Sequence, residues 1–402
     1  MSVDLPDPGA DEAAHSQKLA ALIRAEIAAT GPLPFARFME RCLYAPGLGY
    51  YSAGRLKFGP SGDFVTAPEL GALFARCVAR ALAPALREVG DKAVFFELGG
   101  GSGAFARDCL RELQSRDALP RHYWLLEPSA DLREHQRACL REALSPQLFA
   151  RIEWLDRPPQ QAWSGVLFAN EVLDALPVTR FAVKQGQTFE EHIVLKDAAH
   201  EEEDFFTRID QPADPLVSGA VRHLERKLGT AFADGYRSEV LPQLPWWIEA
   251  IAGNLQRGAA LLVDYGYARR EFYLPERSDG TLVCHYRHRA HADPLVLPGL
   301  QDITAFVDFT ALAEAGLCGG FELIAYASHA RFLLAVGLDA VFAEAYASAK
   351  NEVARYALAQ EVKRLTLPGE MGERFQAMLF ARGLDSQALF ASMLEIDRSE
   401  RL

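Results

Sequence analysis

The run Val94-Phe95-Phe96-Glu97-Leu98-Gly99-Gly100-Gly101-Ser102-Gly103 limits the fold more than any other stretch of the chain. It reads as a buried strand that stops in a glycine-rich turn and opens into a helix over residues 104–114. Glycine suits such a turn because the chain must take up positive φ and let a ligand approach the backbone with no Cβ in between. The helix that follows offers free N–H groups and the positive end of its dipole to whatever lies in the turn. Two ligand classes use this arrangement. Gly99-x-Gly101-x-x-Ala104 satisfies the loose dinucleotide pattern G-x-G-x-x-G/A. Glu97, however, precedes the first glycine by two residues, giving Glu97-x-Gly99-x-Gly101-x-Gly103. An acid there would repel a pyrophosphate but meet the cationic end of a methionine-like ligand. S-adenosylmethionine (SAM) carries an ammonium, a sulfonium and a carboxylate, which suits both the acid and the helix N-terminus. Methyl transfer therefore stands ahead of dinucleotide binding, with a purely structural turn as the third reading.

From Ala93 onward strand and helix periods alternate: strand 94–98 and helix 104–114, strand 122–127 and helix 129–143, then strands 151–155, 165–169 and 259–263. Alternation of this kind requires right-handed crossovers and a mostly parallel sheet. Runs 321–327 and 331–336, three residues apart, are expected to form an antiparallel hairpin at one edge. The expected fold is α/β, a seven-stranded class I SAM-dependent methyltransferase (Rossmann-like) sheet with an additional helical and loop-rich part.

Around this core, residues 1–15 read as disordered, residues 17–30, 34–43 and 69–87 as helices, and residues 44–68 as a loop rich in Gly, Pro and aromatics. Residues 180–206 alternate like a hairpin about Gln185-Gly186, 241–256 and 303–315 read as helices, 267–302 as an irregular segment, and 339–402 as helical. The expected organisation is an N-terminal helical and loop region over 1–90 covering the cofactor site and a methyltransferase domain over 91–338. The latter carries an inserted substrate segment at about 178–240, and a C-terminal helical region follows over 339–402.

A net charge of −12 excludes the basic footprint of a general nucleic-acid binder. Acidity concentrates in residues 190–214, where Glu201-Glu202-Glu203-Asp204 reads as a solvated face or, more sharply, as a docking surface for a basic peptide. The six cysteines show no C-x-x-C pairing and fit reduced core positions. No run approaches the ~18 apolar residues of a membrane span. Residues 1–17 have neither the apolar core of a signal peptide nor the Arg-rich character of a transit peptide, so the expected location is cytoplasmic.

In an open parallel sheet, ligands bind beyond the carboxyl ends of the strands. Glu127, 24 residues after Gly103, closes the second strand and can accept both ribose hydroxyls. Trp154 and Asp156 at the next strand end suit an adenine ring and its exocyclic amine. Asn170-Glu171-x-x-Asp174 lies where a methyl acceptor must sit. Methyl transfer is an in-line displacement at a sulfonium, so the enzyme mainly aligns the nucleophile and keeps it from being solvated. Paired carboxylates at Glu171 and Asp174 would hold a guanidinium fork, although acids here also suit the first turn of a short helix. His285, His288 and His291 invite a metal reading, but their spacing fits no tetrahedral site and flanking arginines repel a cation.

Several blocks carry a family likeness: Gly62-Asp63-Phe64-Val65-Thr66-Ala67-Pro68-Glu69, the glycine turn, Glu127-Pro128-Ser129, Asn170-Glu171-Val172-Leu173-Asp174-Ala175-Leu176-Pro177, Asp264-Tyr265-Gly266-Tyr267, Gln301-Asp302-Ile303-Thr304 and Pro368-Gly369-Glu370-Met371-Gly372. In these the chain resembles the MidA-like family of SAM-dependent methyltransferases, over about residues 17–382. One departure is Gly100, where the family pattern is expected to carry Pro.

The resemblance implies SAM as cofactor, with S-adenosyl-L-homocysteine as product. The cofactor residues are then Glu97, Gly99, Gly101, Gly103, Glu127, Asp156 and Asn170, covered by Asp63, Thr66 and Pro68. Glu171, Asp174 and Asn170 are the candidate catalytic residues. The family's mitochondrial member acts in respiratory complex I assembly, which implies a protein arginine acceptor, with a complex I core subunit homologue as the candidate partner. A SAM-binding assembly chaperone with little catalysis is the alternative, and a dinucleotide-dependent oxidoreductase a minor third.

Overall fold

The computed structural model describes residues 5–53, 66–196 and 205–402. Two compact units interleave along the chain. One comprises the described residues of Met1–Phe64, Leu173–Gln243 and Arg269–Phe306, the other Val65–Val172, Leu244–Ala268 and Val307–Leu402.

The second unit is built on a sheet whose strands, in chain order, are β1 (Val94–Leu98), β2 (His122–Leu126), β3 (Ile152–Leu155), β4 (Trp163–Asn170), β5 (Leu255–Tyr267), β6 (Glu322–Ser328) and β7 (Phe375–Arg382). Their spatial order is β6-β7-β5-β4-β1-β2-β3. All run parallel except β7, which is antiparallel to both β5 and β6. A two-residue strand, Val307–Asp308, pairs in parallel with the end of β5. Strand order reverses between β1 and β4, the place where an open α/β sheet leaves a crevice.

Burial on both faces explains the near-continuous apolar strands. Phe95 of β1 stacks on Tyr123 at 4.8 Å and meets Phe105 and Phe168 on one face, while Phe96 meets Trp124 and Trp163 on the other.

The expected edge hairpin is not formed. Residues 331–335 lie in helix His329–Ala335 and Val336 is its C-cap; Ala330, Phe332 and Leu333 are buried and Arg331 and Leu334 exposed, a helical rather than an alternating pattern. The partner of β6 is β7, drawn from the C-terminal stretch expected to be helical throughout. Residues 377–381 are buried without interruption, and such a run has no period that separates a core strand from a buried helix. The N-terminal helix begins at Ala10, within the stretch expected to be disordered. All six cysteines are free. No described helix is long and apolar enough to cross a membrane.

The first unit holds two small antiparallel sheets. In the larger, Leu33–Pro34, Gln187–Leu195, Thr179–Lys184 and Arg237–Val240 lie side by side, and Phe206–Pro212 also pairs with Gln187–Leu195. The expected hairpin about Gln185-Gly186 is present, with Lys184 opposite Gln187 and positive φ at both turn residues. Glu201–Asp204 lie outside the described residues. The segment expected to be irregular, 267–302, carries a second hairpin, Val283–Tyr286 with Arg289–His291, turned by Arg287 and His288 at φ 47° and 62°. Asp302–Thr304 adds a third strand to it, so the helix expected to begin at Ile303 begins at Phe309. Among the described residues no group of His, Cys, Asp and Glu could hold a metal ion.

A buried arginine centres the larger sheet. Arg180 is 3 % exposed, with Nη1 3.2 Å from Glu191, Nε 3.3 Å from Glu239 and Nη2 2.9 Å from Asp279. Removing one member of a buried charge network leaves the others uncompensated, a cost of roughly 3–5 kcal/mol. Arg180→Ala should therefore lower the urea unfolding free energy by about that amount, and Arg37→Ala, at a half-exposed surface pair, by about 0–1 kcal/mol.

Candidate functional site

The carboxyl end of β1 enters the glycine turn at the point of strand reversal. Gly99, Gly101 and Gly103 take φ of 65°, 52° and 88°, which any side chain would strain. A Cβ at Gly99 would also stand 3.0 Å from Val172 Cγ2, so the turn is a cradle that only glycine keeps open. Gly103 occupies the N-cap of helix Ala104–Ser115 and supplies no side-chain cap. Ser102 Oγ instead accepts from the Ala104 N–H at 3.2 Å and donates to Glu69 Oε1 at 2.5 Å. Gly100 closes the turn, its carbonyl accepting from the Gly103 N–H at 2.9 Å. A Cβ at Gly100 would lie 2.8 Å from Leu125 and 3.1 Å from Gln136, so at this turn position the chain leaves no room for more than glycine without a shift.

Three strand ends are tied together by Gln136, a fully buried residue on helix Ala130–Ala143. Its amide donates to the Gly101 carbonyl at 2.9 Å and to Glu127 Oε2 at 3.4 Å, and its oxygen accepts from Trp154 Nε1 at 2.9 Å. Glu127 is 6 % exposed, and its other oxygen accepts from the Ser129 N–H at 3.0 Å. Sequence reasoning missed Gln136. Its signal was a polar residue midway along the apolar stripe Leu132, Gln136, Leu140.

Glu97 is buried beneath the turn, 2 % exposed, and accepts from the Tyr123 hydroxyl at 2.6 Å. Burial pushes its carboxyl up to about 8, offset in part by the Tyr123 bond and reinforced by the charge of Glu127. Asp156 lies at the surface, its carboxylate 2.5 Å from Arg133. Trp154 packs its ring under the Arg137 guanidinium at 4.9 Å.

At the end of β4, Asn170 donates to Glu171 Oε1 at 2.9 Å, while its own buried Oδ1 has no hydrogen-bond partner among the described residues. Glu171 has φ of 52°, rare outside glycine, and its N–H donates to the Val263 carbonyl at 3.0 Å. A buried acceptor without a partner beside a strained residue leaves a hydrogen-bonding position that a ligand can fill. Positive-φ glycines, the Glu127 carboxylate and the Asn170 oxygen together fit a nucleoside with an amino-acid tail.

The remaining candidates divide. Asp63 lies outside the described residues. Thr66 holds the N-cap position of helix Ala67–Leu70, but its side chain makes no capping bond, and Pro68 sits in the first turn. The boundary between units falls between Val172 and Leu173, so Asp174 belongs to the first unit. There Asp174 is 5 % exposed and its carbonyl accepts from the Ala305 N–H at 3.0 Å. In the same unit Tyr51 donates to Asp302 at 2.9 Å and stacks on Tyr44 at 5.6 Å. Burial, then the charges of Asp302 and Asp174, hold the Tyr51 hydroxyl firmly protonated.

The raised Glu97 carboxyl makes stability depend on pH. The folded protein keeps a proton that the unfolded chain loses above 4.5, so this stabilisation is complete below 4.5 and lost as pH rises through about 8. Urea midpoints measured across that window should fall with pH, and Glu97→Gln should flatten the fall.

Comparison with known proteins agrees with the geometry. Residues 77–326 match the family model described as "Putative S-adenosyl-L-methionine-dependent methyltransferase". A COG1565 superfamily member from Burkholderia thailandensis, solved bound to S-adenosyl-homocysteine, superposes with a TM-score of 0.89 at 40% identity, covering 99% of this chain and 100% of that one. The protein named protein arginine methyltransferase NDUFAF7 homolog, mitochondrial, of Drosophila melanogaster is 30% identical, over 93% of this chain and 86% of that protein. The human protein arginine methyltransferase NDUFAF7 is 28% identical, over 87% and 80%. With a glycine-rich strand-turn-helix at the reversal of strand order, the chain belongs to this family of S-adenosyl-L-methionine-dependent methyltransferases.

Proposed function

We propose that the acceptor is a protein arginine, and that Glu171 holds its guanidinium. The observation that carries this reading is the acid that directly follows β4, Glu171, held in a strained backbone conformation. Carboxylates orient a planar guanidinium through bidentate hydrogen bonds and keep electron density on the nitrogen left outside the pair. The names of the fly and human relatives support the same acceptor.

When bound, SAM supplies an electrophilic methyl group on a sulfonium. The residues of this chain proposed to hold it are the backbone of Gly99, Gly101 and Gly103 and the buried Glu97 beneath them. Glu127 would take the ribose hydroxyls, Asp156 the adenine amine and Asn170 Oδ1 a polar hydrogen of the ligand. Thr66 and Pro68 would cover the site and exclude water. A homologue of a complex I core subunit is the proposed protein partner. The relatives carry "mitochondrial" in their names, and a cytoplasmic location for this chain stands as a proposal that cell fractionation tests.

Incubation of the protein with methyl-labelled SAM and cell extract, followed by mass spectrometry, should find label on arginine side chains. Glu171→Gln should lower that transfer by about 100-fold, the scale of one lost electrostatic contact in a transition state, while S-adenosylhomocysteine affinity changes little. Label on lysine, carboxylate or small molecules only would overturn the arginine reading.

A further inference from the structure

Helix Glu352–Thr366 has no role in the site described so far, yet two of its residues, one turn apart, reach toward the carboxyl end of the sheet. Leu365 accepts at its carbonyl from His329 Nδ1 at 3.0 Å. His329 is fully buried between Phe74 and Phe375, and burial lowers its imidazole to about 4, so the ring is neutral and donates from Nδ1. Glu361 is 5 % exposed and accepts from the Leu73 N–H at 2.7 Å, 288 residues away in sequence. It also accepts from the Phe74 N–H.

These are the free N–H groups that open helix Leu73–Val89. That helix has Ala72 at its N-cap, a residue with no side-chain acceptor to offer. Glu361 therefore caps it from a distant segment. Gly71 makes this possible, since a Cβ there would collide with the Glu361 carboxylate.

The capped junction bears on the glycine turn. Four residues before Leu73, Glu69 takes the Ser102 hydroxyl, and Ser102 holds the Ala104 N–H at the start of the helix after the turn. Helix Ala67–Leu70 spans only four residues and cannot hold its own position; its bond to Ser102 needs an anchor on the other side. We propose that Glu361 is a positioning residue of the cofactor site, fixing through Leu73 and Gly71 the short helix from which Glu69 holds Ser102 in the glycine turn. The proposal rests on the reading that SAM lies against that turn.

Calorimetric titration of the full chain with S-adenosylhomocysteine tests it. Glu361→Ala should weaken binding by about tenfold, the equivalent of one lost cap, while Glu361→Gln, whose amide oxygen can still accept, should stay within about threefold of wild type. In a Ser102→Ala background the Glu361→Ala effect should shrink to less than about twofold, because the two residues act through one connection. Gly71→Ala, which crowds the same carboxylate, should imitate Glu361→Ala and replaces it if that variant does not fold. Unchanged affinity in folded Glu361→Ala or Gly71→Ala, or full additivity with Ser102→Ala, would overturn the positioning role. Glu127→Ala is the control: if it too leaves affinity unchanged, the placement of the cofactor at the turn fails as well, whereas its loss of binding beside an unaffected Glu361→Ala sinks the positioning role alone.

Discussion

Three positive-φ glycines between β1 and its helix set the terms for the rest of the sheet unit. A backbone bent this tightly exposes carbonyls and N–H groups that cannot be paired within the turn, and buried polar groups must find partners. The unit answers with side chains brought from elsewhere. Gln136 takes the Gly101 carbonyl, Ser102 takes the Ala104 N–H, and Glu69 takes the Ser102 hydroxyl. Each of these partners is itself held, Gln136 by Trp154 and Glu127, Glu69 by a helix whose neighbour is capped by Glu361. The glycine turn thus depends on a polar network that runs through most of the elements at the carboxyl end of the sheet.

The buried acids of the molecule are used in different ways. Glu112 lies among Arg76, Arg80 and Arg116, whose hydrogen bonds and charges outweigh burial and hold its carboxyl down at about 2. It serves structure. Glu97 has a phenol and no arginine for company, so burial dominates and the carboxyl rises. A group poised near neutrality beneath a ligand cradle can change charge when a cation arrives, which a carboxylate fixed among arginines cannot do. In the first unit, Arg180 and its acids resemble Glu112 in kind: charges paired so closely that they define a packing arrangement.

Much of the sheet was legible because parallel strands covered on both faces are short apolar runs ended by turn residues. β1 to β4 follow their expected bounds within one to two residues at either end. The hairpin at Gln185-Gly186 was legible for the same local reason, since two residues suited to positive φ separate two alternating runs. β7 was not, because Ala377 to Ala381 carry no period, and its place between β5 and β6 is decided by pairing with residues 110–124 and 48–59 positions earlier. The hairpin at Arg287-His288 was hidden by non-glycine residues in a turn that usually asks for glycine or asparagine. Among the site residues, glycines and strand-end acids announce themselves by position. Gln136, Ser102 and Glu361 do not, since an isolated Gln, Ser or Glu on a helix or turn is ordinary until its neighbour is known.

By itself, then, the sequence determined the strand-turn-helix at Glu97–Gly103, the parallel α/β class, the cofactor and the family. All of these rest on local backbone needs or on contiguous residue blocks. Tertiary structure alone decided which distant polar groups close the turn, where the antiparallel strand inserts, and that Glu97 sits buried against Tyr123 while Asp156 stands in solvent. The physical reason is that backbone conformation is dictated by near neighbours, whereas burial, hydrogen-bond partners and proton affinity are dictated by whatever the fold brings within a few ångströms.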